Sequence, residues 1–132
     1  MSELGRRRHR ARARALELAY EANMKSRAFT LIVGELPVTP DPYTVLILTS
    51  AEENQVRIEQ LIEQFSREWP LDRLAVVDRL IMTLALAELI MSEPPPTAVV
   101  LDEAVELAKV YSTEESASFV NGVLAACVTH LQ

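Results

Sequence analysis

Six arginines fall within the first fourteen residues of this 132-residue chain: Arg6, Arg7, Arg8, Arg10, Arg12 and Arg14. A guanidinium holds phosphate oxygens in bidentate fashion and stays charged at any relevant pH. A run of this kind suits a polyanion, each phosphate contact adding affinity that falls with salt. The formal net charge of −6 conceals the run, because residues 1–14 carry +5 and the other 118 carry −11. A basic end on an acidic body directs a nucleic acid to one place. The plainer reading of the same residues is a solvated, frayed terminus. A membrane-surface helix does not fit, since the polar arc lacks a large opposing Trp/Phe/Leu face.

Catalytic residue types are sparse and scattered. His9 and His130 sit at opposite ends of the chain, and neither has a partner at metal-ligand spacing. Cys127 has no histidine nearby in sequence other than His130, and Ser116 and Ser118 belong to a helix start rather than a nucleophile elbow. Three separated glycines cannot make a phosphate-cradling loop. Asp78 and Glu88 are the isolated acids of a very apolar stretch, and such carboxylates are more often satisfied structural groups than general acids. The expectation is a protein with no catalytic residues, no cofactor and no metal.

The elements that must position the arginines are helical. Hydrophobic residues make up 49% of the chain, enough to build one domain over residues 1–132. The longest apolar run, Leu80 to Met91, is interrupted by Thr83 and Glu88 and is too short to span a bilayer. No apolar h-region follows the arginines, which argues against a secretory signal, and a lone cysteine suits a reducing cytoplasm. The first helix is predicted from Arg6 or Arg8 to Lys25, with Ala11, Ala15, Leu16, Leu18, Ala19 and Ala22 as its apolar side. Arg8 and Arg12 point toward that side, so the first turns are expected to project past the core. Residues 28–36 suit one or two helical turns.

Residues 41–67 give conflicting signals. Tyr43 to Leu48 is strand-like, yet Asp41-Pro42 is a good helix start. Ser50 to Glu53 reads as a capping box opening a separate helix. One helix or two abutting ones is the expectation. A central helix is predicted over 71–92, with Leu71, Leu74, Val77, Leu80, Ile81, Leu84 and Leu89 as its core stripe. A fifth helix over 99–110 and a last one, opened by Ser112 to Glu115 and ending near His130, complete an all-α domain of five to seven helices.

Several segments resemble one family. Leu71-Asp72-Arg73-Leu74 with Val77-Asp78-Arg79-Leu80-Ile81 is similar to the opening of the central helix in the bacterial transcription antitermination factors of the NusB family. Asp102 to Lys109 (Asp-Glu-Ala-Val-Glu-Leu-Ala-Lys) matches a family signature with one change, Asp102 for asparagine. Phe119 to Leu124 (Phe-Val-Asn-Gly-Val-Leu) is another signature, intact. Arg7 to Arg12, Ala15-Leu16 and Tyr20 resemble the family's opening helix, and Tyr43 and Trp69 match landmarks between. Thr83 stands where the family commonly has arginine, Ala87 where it has tyrosine, and Ser112 replaces a helix-ending glycine.

The resemblance implies a NusB-like fold of two small helical bundles packed across one another, and no enzymatic activity. It implies binding of boxA-like single-stranded leader RNA of ribosomal RNA operons, together with a NusE-type small-subunit ribosomal protein, within an RNA polymerase antitermination complex in the bacterial cytoplasm. By that analogy Arg7, Arg8, Arg10 and Arg12 contact phosphate, Tyr20 and Phe119 are aromatic RNA contacts, and Glu88 belongs to the partner-facing side. Read from the residues alone, Tyr20 is as good a candidate for the core, Phe119 is read as core before stacking platform, and Asn121-Gly122 as close helix packing before a site. Two other readings stay open: a protein–protein adaptor that kept the fold and lost RNA binding, or a stand-alone relative of the RNA-binding domain of ribosomal RNA methyltransferases. A homodimer is a further reading, given the richness in Leu, Ile and Val.

Overall fold

The computed structural model describes residues 1–67, 69–70 and 73–132. Its described residues form seven helices and no strand: α1 (Glu3–Met24), α2 (Phe29–Gly34), α3 (Pro42–Glu53), α4 (Gln55–Ser66), α5 (Val76–Leu89), α6 (Thr97–Tyr111) and α7 (Glu114–Leu131). Helix α1 starts earlier than the arginine pattern suggests, because Ser2 Oγ accepts the Gly5 amide at 2.9 Å and caps it. Asp41 caps α3 through the Tyr43 amide at 2.8 Å, with Pro42 in the first turn.

The strand-like residues of α3 are helical because their burial has a helical period. Tyr43, Thr44, Ile47, Leu48 and Ala51 face inward, at the spacing of one helix face. The break between α3 and α4 falls at Asn54, not at Ser50. Ser50 is no cap: its Oγ donates to the Ala87 carbonyl at 2.7 Å and ties α3 to α5. Thr44 Oγ1 donates likewise to the Ala11 carbonyl at 2.9 Å, tying α3 to α1. The last helix opens one residue later than the capping box indicates, on Thr113, whose side chain accepts the Ser116 amide.

Two groups of helices share the core. Helices α1, α2 and α3 pack on one another; α4, α6 and α7 pack around α5, and α5 also touches α1 and α3. That joint needs a helix with apolar surface on nearly every side. Residues 80 to 88 of α5 are all buried, Leu80, Ile81, Met82 and Leu86 almost completely. Each such aliphatic side chain contributes roughly 1.5–3 kcal/mol of burial. Helix α5 begins at Val76 rather than 71, and the Arg73 amide instead donates to the Pro70 carbonyl. Of the expected core stripe, Leu74, Leu80, Ile81 and Leu84 are buried, and Val77 and Leu89 are partly so. Leu71, with Asp72 of the family motif, lies outside the described residues.

Ala11, Ala15, Ala19 and Ala22 of α1 are buried, small side chains that let α3 and α5 approach closely. Ala104, Leu107 and Ala108 of α6 are core as expected. Asn121 and Gly122 are not packing residues: both are exposed, and a Cβ on Gly122 would meet nothing within 4 Å. Among the described residues no helix is long and apolar enough to cross a membrane.

Candidate nucleic-acid interface

Helix α1 lays its arginines out along a face that starts at the chain's beginning. Arg10 is exposed and has no ion pair among the described residues. Arg6 reaches back to Glu3 at 3.3 Å, and Arg14 forward to Glu17 at 3.3 Å. Exposed pairs of this kind hold their partners weakly and can be exchanged for a phosphate. Arg7 Nε donates to Asp41 Oδ2 at 2.8 Å, so the carboxylate that caps α3 also orients the first helix. That bond, with the Tyr43 amide on the other oxygen, holds the Asp41 carboxyl below its usual range. Arg8 lies over the ring of Tyr43, its guanidinium carbon 4.1 Å from the centroid, a cation–π contact that fixes its plane.

Arg12 leaves the expected phosphate-contact set. It is 5% exposed, and its guanidinium forms a bidentate pair with Glu88: Nε to Oε2 and Nη2 to Oε1, both at 2.8 Å. The physical reason is its place on the inward arc of α1, one residue past buried Ala11, where a bare charge is tolerated only if fully paired. The first turns of α1 do run past the hydrophobic core, whose first buried residue is Ala11, but Arg12 itself lies within it. Burial alone would lower the Arg12 pKa, but the bonds and charge of Glu88 and its neighbours keep it raised.

Glu88 is corrected in the same way. At 3% exposure it cannot be a surface contact for a partner. It accepts from Arg12 and, at 2.5 Å, from the Tyr43 hydroxyl, whose pKa is raised by burial and by this carboxylate. Glu103 closes the cluster, 2.7 Å from His9 Nδ1 and 3.7 Å from Arg12. Thr83 and Ala87 are buried too, so the arginine and tyrosine missing there leave no gap on an exposed face.

The remaining aromatic candidates lie elsewhere. Tyr20 is 42% exposed, not core, and lines a hollow with Leu16, Val77 and Tyr111. Phe119 is half-buried and shares a different hollow with Trp69 and Asp78. Both hollows are at the amino-terminal end of α5, while Arg12 meets its other end; ten residues from Asp78 to Glu88 amount to about 15 Å of helix. The fold thus gathers Arg7, Arg8 and Arg10 at one end and sets Tyr20 and Phe119 at another. Asp41 and Tyr43 are the supports that sequence reasoning missed. The capping role of Asp41 is visible in sequence, but nothing in the spacing links it to an arginine 34 positions earlier.

Comparison with known proteins gives a consistent set. The model of the NusB family matches residues 9–129. The transcription antitermination protein NusB of Acidothermus cellulolyticus is 43% identical over 123 residues, covering 90% of this chain and 85% of that protein. The solved structure of NusB from T. maritima is 33% identical, with a TM-score of 0.82, and the match covers 92% of this chain and 90% of that one. A chain in a crystal structure of the antitermination factors NusB and NusE in complex with dsRNA is 28% identical with a TM-score of 0.80, over 95% and 98% of the two chains.

Proposed function

The chain belongs to the NusB family, and on that premise we propose that it is a non-enzymatic, RNA-binding factor of bacterial transcription antitermination. It acts in the cytoplasm with a NusE-type small-subunit ribosomal protein, on boxA-like single-stranded leader RNA of ribosomal RNA operons, as part of an RNA polymerase antitermination complex. The observation that carries the reading is the arginine face of α1, with Arg7 and Arg10 exposed and Arg8 half-buried beside them, on a body whose net charge is strongly negative. Cations supply affinity for phosphates, and the acidic remainder limits where a strand can lie. The similar NusB–NusE–dsRNA complex supports RNA and NusE as partners.

Fluorescence anisotropy with a boxA-like single strand, at two salt concentrations, tests this reading. Replacing Arg7, Arg8 and Arg10 by alanine is expected to weaken binding strongly and to flatten the salt dependence, by about 0.7 in the log–log slope for each phosphate no longer neutralised. The same sequence as a duplex is expected to bind more weakly. Negligible affinity at low salt, with or without the ribosomal protein, would reject RNA binding and favour an adaptor that kept only the fold. Self-association belongs to the same reading, supported by exposed Leu31, Leu46 and Val56, and mass in solution across concentrations tests it.

A further inference from the structure

Three exposed arginines of α1 have a carboxylate partner, and the pairs differ in which nitrogen the acid takes. Glu3 accepts from Nη2 of Arg6 at 3.3 Å, and the Met1 carbonyl accepts from Nη1 at 2.7 Å. Glu17 accepts from Nη1 of Arg14 at 3.3 Å. Asp41 accepts instead from Nε of Arg7 at 2.8 Å, the inner edge of the guanidinium. Among the described residues, neither terminal nitrogen of Arg7 has a hydrogen-bond partner.

The acids also differ in how firmly they are held. Glu3 and Glu17 are exposed side chains on α1 itself, three residues from their partners, and pairs of that kind are weak. Asp41 belongs to α3 and is fixed from its other side, since Oδ1 accepts the Tyr43 amide at 2.8 Å. Its side chain is 22% exposed, against 55% for that of Arg7. An anchored acid that grips the Nε edge leaves the far end of the guanidinium open. That end carries the two parallel N–H groups that a phosphate takes in bidentate fashion.

We propose that Asp41 is a positioning residue of the phosphate-binding face, holding Arg7 so that both of its terminal nitrogens meet one phosphate of the bound strand. The proposal rests on the RNA-binding reading above. A carboxylate near a phosphate also repels it, but the two anions lie on different edges of the guanidinium, and water and salt screen the repulsion at this exposed place. Losing one charge-assisted hydrogen bond outweighs relief of a screened repulsion. Glu3 acts in the opposite sense, because it occupies a nitrogen that Arg6 would otherwise offer. Two acids beside one arginine run therefore have opposite signs for RNA affinity, Asp41 favourable and Glu3 unfavourable.

Anisotropy of a labelled boxA-like strand, titrated with the full chain, separates the two roles. Asp41→Asn keeps an acceptor for the Tyr43 amide and a good helix cap, and gives up the charge that holds Arg7. It is expected to weaken binding about tenfold, the scale of one hydrogen bond to a charged group. The log–log salt slope is expected to stay the same, because as many phosphates are neutralised as before. Arg7→Lys keeps the charge without the fork and is expected to behave alike. On an Arg7→Ala background, Asp41→Asn is expected to change affinity by less than about twofold, since Asp41 acts through Arg7. Glu3→Gln is expected to strengthen binding about twofold, the worth of an exposed pair. Unchanged or tighter binding by Asp41→Asn overturns the proposal while RNA binding stands. An equal loss on the Arg7→Ala background also overturns it, leaving Asp41 a helix cap only, as does a loss with Glu3→Gln that matches the loss with Asp41→Asn. No binding of the strand by the unaltered chain at low salt overturns both readings.

Discussion

Helix α5 carries two buried carboxylates ten residues apart, and they are treated in opposite ways. Glu88 receives three bonds from Arg12 and one from Tyr43, so both of its oxygens are satisfied within the fold. Asp78 receives one bond, from Ser116, and keeps one buried oxygen unpartnered among the described residues. A closed network holds two helical groups together, since Arg12 comes from α1 and Tyr43 from α3. The other network is left incomplete. Burial alone does not tell how firmly an acid is tied into the fold; the tally of lone pairs does.

The largest expected effect is at the closed end. Arg12→Ala or Glu88→Ala alone strands a buried charge and should cost about 3–5 kcal/mol in denaturant unfolding, whereas Arg12→Met with Glu88→Leu should recover most of that loss. Alkylation of Cys127 gives a second readout. Its thiol is fully buried and pushed up to about 11 by burial, so labelling near pH 8 needs the chain to open. A destabilisation of that size should raise the labelling rate by about two to three and a half orders of magnitude. Tyr43→Phe removes one of the four bonds to Glu88 and should cost about 1–2 kcal/mol, measured the same way.

At the open end, Asp78→Asn should change stability by less than about 1 kcal/mol in either direction, and should leave Cys127 labelling nearly unchanged. A cost equal to that of Glu88→Ala would make the two carboxylates alike and end the contrast. Smallest is the acid response of Asp41, a surface pair that belongs to neither end. Its pKa is lowered in the folded chain, so its contribution is complete above the ordinary carboxylate value and is lost as pH falls through the folded one. Asp41→Asn should therefore lower stability slightly at neutral pH, where the contribution is complete, change nothing below the folded pKa, and so flatten the acid limb of the stability–pH profile.

Much of the architecture is legible in the sequence wherever it rests on neighbours along the chain. Proline punctuation, the Asp41-Pro42 start and the apolar surround of α5 are local chemistry, and each holds. The departures fall where a side chain answers to a distant partner. Ser50 has the local pattern of a cap, but its hydroxyl belongs to Ala87, 37 positions later. Arg12 sits in a run of arginines that invites a phosphate role, although its place on the apolar arc points inward. Its partner Glu88 is 76 positions away, and only the fold joins them. The arginine face follows from composition; the Asp78 cavity does not, because Trp69, Asp78 and Phe119 come from three separate segments.

Arg8 has a consequence that reaches from the core to the surface. Its guanidinium rests on the Tyr43 ring, and that tyrosine is itself held by Glu88. A free arginine gives up rotamer freedom when it closes on a phosphate, at roughly 0.5–1.5 kcal/mol for each immobilised side chain. Here much of that ordering is completed when the chain folds, so association meets a cation already set in its plane.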